Sequence, residues 1–235
     1  MYPQNAEELS AGREQLVSYS RRLLDDGLAV GSAGNMSVRL GRASPGPAAG
    51  PVLITPSGVP YRDMRPEQIC VVGLDGSELS VPATVSSETP MHLAIYAATG
   101  AGAVVHTHSP EVIALSAVFD ELPAIHYAIT GLGGPVRVAP YTRFGSAGLA
   151  SAAVLALTSR QAAILQNHGA ICYGRTLTEA YERALLLEWL ARTYRLARAL
   201  GEPKILTDAQ LEEVAAEARR RRYGEAPAQE HRASE

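Results

Sequence analysis

The sequence predicts a layered fold of the α/β or α+β class, in which helices pack on a central β-sheet. Two observations indicate it: several long segments have apolar residues at helical spacing, and other segments are short apolar runs bounded by turn residues. The two kinds of segment are mixed along the chain without strict βαβ alternation. The length of 235 residues and the 46% hydrophobic content suit one large domain with its own core, which we place at residues 1–224.

The N-terminal half is predicted to begin with a helix and to continue into strands. Leu9, Leu16 and Leu23 recur at near-helical spacing before Gly27, a residue type that commonly ends helices. The later segments alternate in polarity or are short apolar runs between turn residues. In chain order the predicted elements are helix 6–26, strand 36–40, a Gly/Pro-rich loop at 41–50, strands 52–54 and 69–73, a hairpin turn at 75–76 and helix 89–98.

The C-terminal half is predicted to mix short strands with longer helices. Apolar runs indicate the strands, and helical spacing with capping residues indicates the helices. In chain order the predicted elements are strand 103–107, helix 110–118, strand 125–129, helix 146–157, strand 162–165, its hairpin partner 171–173, and helices 177–200 and 208–222. Residues 225–235 are polar, and we expect them to form a disordered tail.

Composition excludes several classes of partner. The net charge of −3 gives no general attraction to nucleic acid or to anionic membranes. No apolar stretch reaches the roughly 18 residues that a membrane helix requires. The two cysteines, Cys70 and Cys172, lie in apolar runs, which is typical of buried reduced thiols. We therefore expect a cytoplasmic protein with neither nucleic-acid nor membrane partners.

Three histidines near strand ends are the strongest indication of function. His106 and His108 are two residues apart at the end of an apolar run, so their side chains point to one face of a strand. His168 follows another apolar run, 162–165. Three imidazoles leave one position of a tetrahedral zinc ion open, which is the arrangement of a catalytic site. The same spacing also fits a half-exposed polar pair on a strand, and both interpretations are open at this point.

Ser86, Ser87 and Glu88 immediately precede a predicted helix. Hydroxyls and carboxylates are favoured at helix N-termini, so capping is one interpretation of this triplet. The other is functional, because hydroxyl and free N–H groups at a helix start can bind phosphate, and a neighbouring carboxylate can act as a general base. Two further polar turns could hold an anion but are also ordinary turn pairs: Gly34-Asn35 and Ser57-Gly58.

Five ordered motifs resemble those of the class II aldolase/adducin family, and the similarity spans about residues 7–224. The motifs are GNMSVR at 34–39, ITPSG at 54–58, SSE at 86–88, VVHTH at 104–108 and QNHG at 166–169. Three more segments are similar to the branch of the family that cleaves L-fuculose 1-phosphate: PAIHY at 123–127, APYTRFG at 139–145 and YG at 223–224. Val85 stands where the family often has proline, Pro90 stands where that branch has a basic residue, and the insert at 41–50 has no counterpart in the shortest relatives. These departures could alter which aldehyde fits.

The resemblance implies a three-layer αβα fold with a central, mostly antiparallel sheet. It also implies a homotetramer of four-fold symmetry with active sites between neighbouring subunits. One Zn²⁺ per subunit would be bound by His106, His108 and His168, and Glu88 would contact the metal in the empty site. Mn²⁺ or Co²⁺ could take the place of zinc.

The resemblance further implies roles for the other candidates. Glu88 would be the catalytic base, and Tyr127 would reach in from a neighbouring subunit to handle the proton on the aldehyde oxygen. Phe144 and Tyr223 would line the aldehyde side. The residues that match the family's phosphate-binding groups are Gly34, Asn35, Ser57, Gly58, Ser86 and Ser87.

The implied reaction is the reversible, zinc-dependent cleavage of a ketose 1-phosphate into dihydroxyacetone phosphate and a small aldehyde. The substrate would be L-fuculose 1-phosphate or a similar phosphorylated sugar, with lactaldehyde, acetaldehyde and glycolaldehyde all open as the aldehyde. A lysine Schiff base is not expected, because the one lysine, Lys204, lies outside every motif.

Three alternatives are related to this reading. A pentulose-phosphate 4-epimerase would resemble the chain but would carry Asp in place of Glu88 and a further Asp near Tyr127, and neither is present. A methylthioribulose-1-phosphate dehydratase would share the metal site. A non-enzymatic, adducin-like module would lack the metal ligands, all of which are present here.

Overall fold

The computed structural model describes residues 6–41 and 50–221. The α-helices within these residues are α1 (Ala6–Asp25), α2 (Thr89–Ala98), α3 (Pro110–Ser116), α4 (Ala147–Ala156), α5 (Leu177–Leu200) and α6 (Asp208–Arg220). The strands are β1 (Asn35–Arg39), β2 (Val52–Ile54), β3 (Cys70–Val72), β4 (Glu78–Ser80), β5 (Ala103–Thr107), β6 (Glu121–Leu122), β7 (Val136–Ala139), β8 (Ala162–Leu165) and β9 (Gly169–Gly174).

The strands form one sheet in the order β4-β3-β2-β1-β5-β9-β8-β7-β6. Neighbouring strands are antiparallel except for β7 and β8, which are parallel. The mostly antiparallel sheet expected from the sequence motifs is therefore confirmed. β1, β5 and β9 lie side by side in the middle of this sheet, and they carry three of the motifs noted above.

Helices cover both faces of the sheet. Val105 of β5 belongs to a core shared with α1, α3 and α5, whereas Val104 belongs to a second core shared with α2 and α4. The structure therefore has three layers, α/β/α, as predicted. Because side chains alternate along a strand, His106 lies on the same face as Val104, toward α2. This alternation places the first histidine on the side of the sheet where Glu88 begins α2.

The predicted strand at 125–129 is wrong. This segment leads into a 3₁₀ helix, Tyr127–Leu132. The ring Nδ1 of His126 accepts a hydrogen bond from the backbone N–H of Ala128 at 3.1 Å, which favours a turn over strand pairing. Gly133, with φ of 89°, then ends the helix in a left-handed conformation. The strands that the sequence did not predict are β4, β6 and β7, which lie at the two edges of the sheet, where short, partly exposed strands carry little apolar pattern.

The remaining predicted boundaries agree to within a few residues where they can be compared. α6 ends at Arg220, close to the predicted end at 222. Most of the predicted loop 41–50, and the predicted tail 225–235, lie outside the described residues. The domain boundary at 224 stays a prediction.

Both cysteines are buried free thiols, as predicted. Burial raises the pKa of the Cys172 thiol to about 12, so this cysteine stays protonated and unreactive at neutral pH. Among the helices within 6–41 and 50–221, none is both long and apolar enough to cross a membrane.

Candidate active site

Three histidine rings converge at the end of β5. Their centroids are 4.8 Å apart for His106–His108, 4.8 Å for His106–His168 and 4.9 Å for His108–His168. The Nε2 atoms of His106 and His108 lie 2.9 Å apart. Together with Glu88, these histidines offer ligand atoms that all lie within 4.8 Å of one another. The structure thus brings together the four residues that the sequence motifs suggested.

Strand pairing explains why residues so distant in sequence meet. β5 pairs with β9 so that Thr107 is opposite Ala170, and His168 lies in the turn just before β9. Asn167 in that turn adopts a φ of 54°, a left-handed conformation that asparagine tolerates better than most residues. A Cβ on Gly169 would lie 2.0 Å from the carbonyl oxygen of Thr107, so only glycine fits where β9 begins.

The ring of His106 is oriented by the backbone. Its Nδ1–H donates to the carbonyl oxygen of Ala170 at 2.8 Å. This bond leaves the Nε2 lone pair directed at the cluster, which is how metal-binding histidines are commonly held. His106 is fully buried, whereas His108 and His168 are partly exposed, so the cluster opens on their side.

Glu88 completes the cluster from the start of α2. Its Oε2 lies 2.9 Å from His106 Nε2, and its Oε1 lies 3.4 Å from His168 Nε2. Oε1 is buried and has no hydrogen bond to any described residue. A buried oxygen without a partner is energetically costly, and a cation at the centre of the cluster would satisfy it. Three imidazoles and one carboxylate are also a donor set suited to zinc or a similar transition metal, so the residues present fit such an ion.

The pKa values of His108, His168 and Glu88 favour metal binding at neutral pH. Burial, and then the charge of His106, lower the pKa of His108 to about 3 and the pKa of His168 to about 4, so both imidazoles are neutral. Burial disfavours the charged form of Glu88, but His106 and the hydrogen bond from Asn35 outweigh burial and hold the pKa of that carboxyl well below its usual range. Glu88 is therefore a carboxylate. Burial also opposes the charged form of His106, and the attraction of Glu88 outweighs it and raises the pKa of that ring.

A cavity of about 340 Å³ lies directly over the cluster. Of the predicted substrate-binding residues, those that line it are Gly34, Asn35, Ser57, Ser86, Ser87 and Phe144. Gly58 is not among its lining residues, although its neighbour Ser57 is. Sequence reasoning did not single out five other residues that line the cavity: Ser32, Pro56, Tyr141, Thr142 and Asn167.

The Ser86-Ser87-Glu88 triplet caps the start of α2, which is the structural role that the sequence also allowed. The backbone N–H of Glu88 donates to Ser86 Oγ at 3.3 Å, and Thr89 Oγ1 donates to the Ser86 carbonyl at 2.7 Å. Ser86 therefore organises the start of α2 while one side of it lines the cavity. Ser87 is exposed and makes no comparable cap. Capping and ligand binding are compatible at this helix terminus, because Ser86 and Ser87 also line the cavity and the N-terminal end of the helix carries partial positive charge.

Tyr127 does not reach the cluster within this chain. Its side chain is 54% exposed and stacks on His126, with the ring centroids 4.3 Å apart. It borders a separate apolar groove beside α6 and is not among the residues that line the cavity over the metal cluster. Its predicted catalytic role stays a prediction. Tyr223 lies outside the described residues.

A buried polar cluster behind Glu88 was missed by sequence reasoning. Asn35 Nδ2 donates to Glu88 Oε2 at 2.9 Å, and Asn35 Oδ1 lies 2.6 Å from His92 Nε2. His92 is completely buried and lies four residues after Glu88 on α2. The available signal was the spacing of Glu88, His92 and Tyr96, which repeats every four residues and so lies on one face of the helix.

Comparison with known proteins points to one family. A sequence profile of the class II aldolase and adducin N-terminal domain matches residues 14–195. Over 208 residues the chain is 36% identical to a 5-deoxy-D-ribulose 1-phosphate aldolase of Bacillus thuringiensis serovar kurstaki, which covers 88% of this chain and 95% of that protein. Over 204 residues it is 38% identical to a 5-methylthioribulose-1-phosphate/5-deoxyribulose-1-phosphate aldolase of Rhodospirillum rubrum, with coverage of 86% and 88%. A solved L-fuculose 1-phosphate aldolase superposes with a TM-score of 0.83 at 31% identity and covers 89% of this chain and 97% of its own.

Gly34→Ala tests the tight approach of β1 to the metal-binding strand. Gly34 has a φ of 81°, and a Cβ there would lie 2.6 Å from the carbonyl oxygen of His106. We expect a loss of about 1–3 kcal/mol of unfolding free energy, measured by urea denaturation, and weaker metal binding. Gly31→Ala is the matched control, because Gly31 has a φ of 65° but a Cβ there would meet nothing within 4 Å. Equal losses in the two variants would show that the contact with His106 is unimportant.

The buried His92 predicts acid sensitivity. Burial, and then the charge of His106, lower the pKa of His92 to about 3, whereas an unfolded histidine has a pKa of about 6.5. Between these values the unfolded chain binds a proton that the folded chain does not, so stability is greatest above about pH 6.5 and falls as the pH drops. In urea titrations between pH 7 and pH 5, the wild type should lose up to about 1.4 kcal/mol more per pH unit than His92→Gln. Parallel curves would contradict the buried neutral imidazole.

Proposed function

The chain belongs to the class II aldolase and adducin family, and we propose that it is a zinc-dependent aldolase that cleaves a ketose 1-phosphate into dihydroxyacetone phosphate and a small aldehyde. The observation that carries the proposal is the convergence of His106, His108 and His168 with Glu88, whose Oε1 is buried without a hydrogen-bond partner. An adducin-like module without catalysis would have no use for this set of ligands. The relatives named above carry aldolase names and match this chain over most of its length.

The metal would be held by the Nε2 atoms of the three histidines, with Glu88 beside them. Three imidazole ligands with one open coordination position suit zinc best. Manganese or cobalt could bind the same donors. When bound, the ion supplies the positive charge that stabilises the enediolate formed as the carbon–carbon bond breaks. The protein supplies the rigid donors, because His106 is pinned by Ala170 and Glu88 by Asn35.

The phosphate of the substrate would bind at the wall of the cavity formed by Ser57, Ser86 and Ser87. These residues line the cavity beside the start of α2, where their hydroxyls and the positive end of the helix dipole favour an anion. Gly34 lines the cavity and Gly58 lies next to Ser57 in the same turn, and we propose that both belong to the phosphate site. The side chain of Asn35 is already bonded to Glu88 and His92, so we propose that it orients the base rather than serving as a main phosphate ligand.

Glu88 would transfer the proton of the three-carbon fragment. It is ionised at neutral pH because its pKa is held below the usual range, so it can accept a proton. Oε2 is occupied by Asn35 and contacts His106, whereas Oε1 is free of hydrogen bonds to described residues. Oε1 is therefore the oxygen that we assign to the proton transfer. In the synthesis direction Oε1 removes a proton from dihydroxyacetone phosphate and becomes a carboxylic acid. In the cleavage direction that carboxylic acid gives its proton to the enediolate carbon, and the proton lost by the substrate hydroxyl balances it.

The aldehyde side would be completed by aromatic residues. Phe144 lines the cavity and is 61% exposed, which leaves room for a second surface to close over it. Tyr127 is exposed and lies away from the cavity of its own chain, so it could act only in the site of another copy. We therefore propose a symmetric tetramer in which Tyr127 of a neighbouring subunit handles the proton on the aldehyde oxygen. Tyr223 is proposed to line the same side.

The assay that tests this function measures the release of dihydroxyacetone phosphate with a coupled dehydrogenase. The substrates are 5-deoxyribulose 1-phosphate, 5-methylthioribulose 1-phosphate and L-fuculose 1-phosphate, each with added zinc and with a chelator. Chelator-sensitive release is expected, and the ratio of kcat/KM values identifies the aldehyde that fits. A zinc-loaded protein that releases no dihydroxyacetone phosphate from these sugars would overturn the proposal, and appearance of an isomeric pentulose phosphate or loss of water would indicate epimerase or dehydratase chemistry.

His106→Ala should remove metal and activity together. The substitution deletes one of the three histidines of the cluster, and it is the buried one, so we expect metal content to fall to background and kcat/KM to fall by more than about 100-fold. Metal is measured by mass spectrometry after dialysis. His231→Ala, which lies outside every motif, is the control and should keep both. Normal activity in His106→Ala would contradict the assignment of the metal site.

Tyr127→Phe should slow turnover without removing metal. Loss of the phenolic proton is expected to lower kcat by about 10²- to 10³-fold, as for other acid–base residues. Mixing this variant with His106→Ala under exchange conditions tests the inter-subunit site, because a Tyr127→Phe chain keeps its metal and a His106→Ala neighbour keeps its tyrosine. Random assembly of equal amounts in a closed ring should restore about a quarter of the wild-type sites. No recovery in verified mixed oligomers would place Tyr127 outside the partner's site.

A further inference from the structure

The carboxylate of Glu88 is the first member of a hydrogen-bonded chain that runs into the core. Asn35 Nδ2 lies 2.9 Å from Glu88 Oε2, and Asn35 Oδ1 lies 2.6 Å from His92 Nε2. The other ring nitrogen of His92 is 2.7 Å from Ser37 Oγ, which in turn is 2.9 Å from the hydroxyl of Tyr96. None of His92, Ser37 and Tyr96 has any exposed surface.

The chain forms where one face of α2 meets one face of β1. Glu88, at the N-terminus of α2, is followed at intervals of four residues by His92 and Tyr96. The three side chains therefore lie on one side of the helix. Asn35 and Ser37 are two residues apart, so they point to the same side of the strand. The two sets interdigitate, and the guanidinium of Arg39, two residues further along β1, lies 5.5 Å from the centre of the Tyr96 ring.

The direction of every hydrogen bond is fixed by chemistry. A carboxylate can only accept, so Asn35 must present its NH₂ group to Glu88 and its carbonyl oxygen to His92. A carbonyl oxygen can only accept, so His92 must carry its proton on Nε2 and accept from Ser37 at Nδ1. Ser37 has then used its single proton, so its oxygen accepts from Tyr96. All donors therefore point toward Glu88, an arrangement in which each bond polarises the next.

We propose that His92 is a positioning residue for the catalytic base: through Asn35 it fixes the orientation of the Glu88 carboxylate, with Ser37 and Tyr96 fixing His92 in turn. This inference rests on the proposed function, because it concerns the base of that reaction. An asparagine side chain can rotate by a half turn at little intrinsic cost and exchange its oxygen for its nitrogen. The N–H of His92 opposes that rotation, because the rotated amide would set an NH₂ group against an N–H and an oxygen against the carboxylate.

A purely structural role fits the arrangement less well. Apolar side chains of similar volume would hold α2 on β1 without the cost of desolvating five polar groups. The polar chain also ends on Glu88, whose carboxylate lines the cavity, and it leaves the other oxygen of that carboxylate without a hydrogen bond to the described residues. Small errors in the position of a catalytic group can cost about 100-fold in rate, so a device that fixes one oxygen of Glu88 has a direct effect on turnover.

Two substitutions of His92 separate its two hydrogen bonds. The amide of His92→Gln can reach the position of Nε2 and donate to Asn35, whereas the shorter amide of His92→Asn can reach only the position of Nδ1 and accept from Ser37. Ile95→Val is the matched control, because it trims a buried residue of the same helix that belongs to the apolar core beside the chain. Each variant is prepared as the full-length, zinc-loaded protein, and its folding is checked by its melting temperature.

Two activities are compared: cleavage of the best ketose 1-phosphate, and exchange of a carbon-bound hydrogen of dihydroxyacetone phosphate with deuterium from heavy water. Exchange needs Glu88 and the metal but not Tyr127: the base removes a proton from the carbon next to the carbonyl, leaves the electron pair in an enediolate, exchanges its proton with heavy water and returns a deuteron. His92→Asn should lower both rates by the same factor, about 10- to 100-fold, with kcat changed more than KM. His92→Gln should recover to within about five-fold of wild type, and Ile95→Val should match wild type. Tyr127→Phe should slow cleavage but leave exchange intact.

Equal rates in His92→Asn and Ile95→Val, or equal losses in His92→Asn and His92→Gln at equal melting temperature, would overturn the proposal. If the wild-type protein neither cleaves the sugars nor exchanges the hydrogen, the proposed function fails, and zinc affinity measured by chelator competition still tests the positioning of Glu88. The expected result is then a weakening of about 10- to 100-fold in His92→Asn and little change in His92→Gln. Identical zinc affinities in these two variants and in wild type would overturn it.

Discussion

Backbone pairing of β1, β5 and β9 is the constraint on which the site depends. Asn35 is opposite His106 across one ladder, and Thr107 is opposite Ala170 across the other. These registers bring three short motifs from distant parts of the chain to one end of the sheet. Because side chains alternate along each strand, a register shift of one residue would turn the ligands toward the opposite core. The position of the metal cluster therefore depends on the registers at the centre of the sheet.

Charge burial imposes the second constraint. Glu88 is 6% exposed, and an isolated carboxylate at that depth would become neutral rather than remain charged. It remains ionised because His106 and Asn35 stabilise the negative form. Two neutral imidazoles, His108 and His168, complete the polar environment toward the cavity. His106 and Asn35 stabilise the negative charge of Glu88 in the core. That buried negative charge attracts a cation to the cluster, so charge burial and metal binding follow from the same arrangement.

The two sides of the cavity differ in rigidity and in origin. Its floor consists of side chains fixed by strand pairing and by the start of α2, whereas Tyr141 and Phe144 on its rim are largely exposed. The sugars named for the relatives share a 1-phosphate and differ in the rest of the molecule. Under the proposed function, the floor would recognise what these substrates share, and the exposed aromatic rim would discriminate among aldehydes. Such a division would let one metal centre serve several related sugars.

The sequence by itself determined the four members of the metal cluster, the helices, most of the central strands and the family. His106 and His108 share a face because strand side chains alternate, and this local rule needs no tertiary contact. The strand expected at 125–129 was wrong because the ring of His126 accepts a hydrogen bond from the backbone N–H of Ala128, a local competition that apolar patterning does not register. Only the tertiary structure showed that Asn35 bonds to Glu88, that His92 stands behind it, and that Tyr127 lies away from its own cavity. These facts depend on how a helix face meets a strand face across more than fifty residues of sequence, and the separate periodicities of helix and strand do not encode that contact.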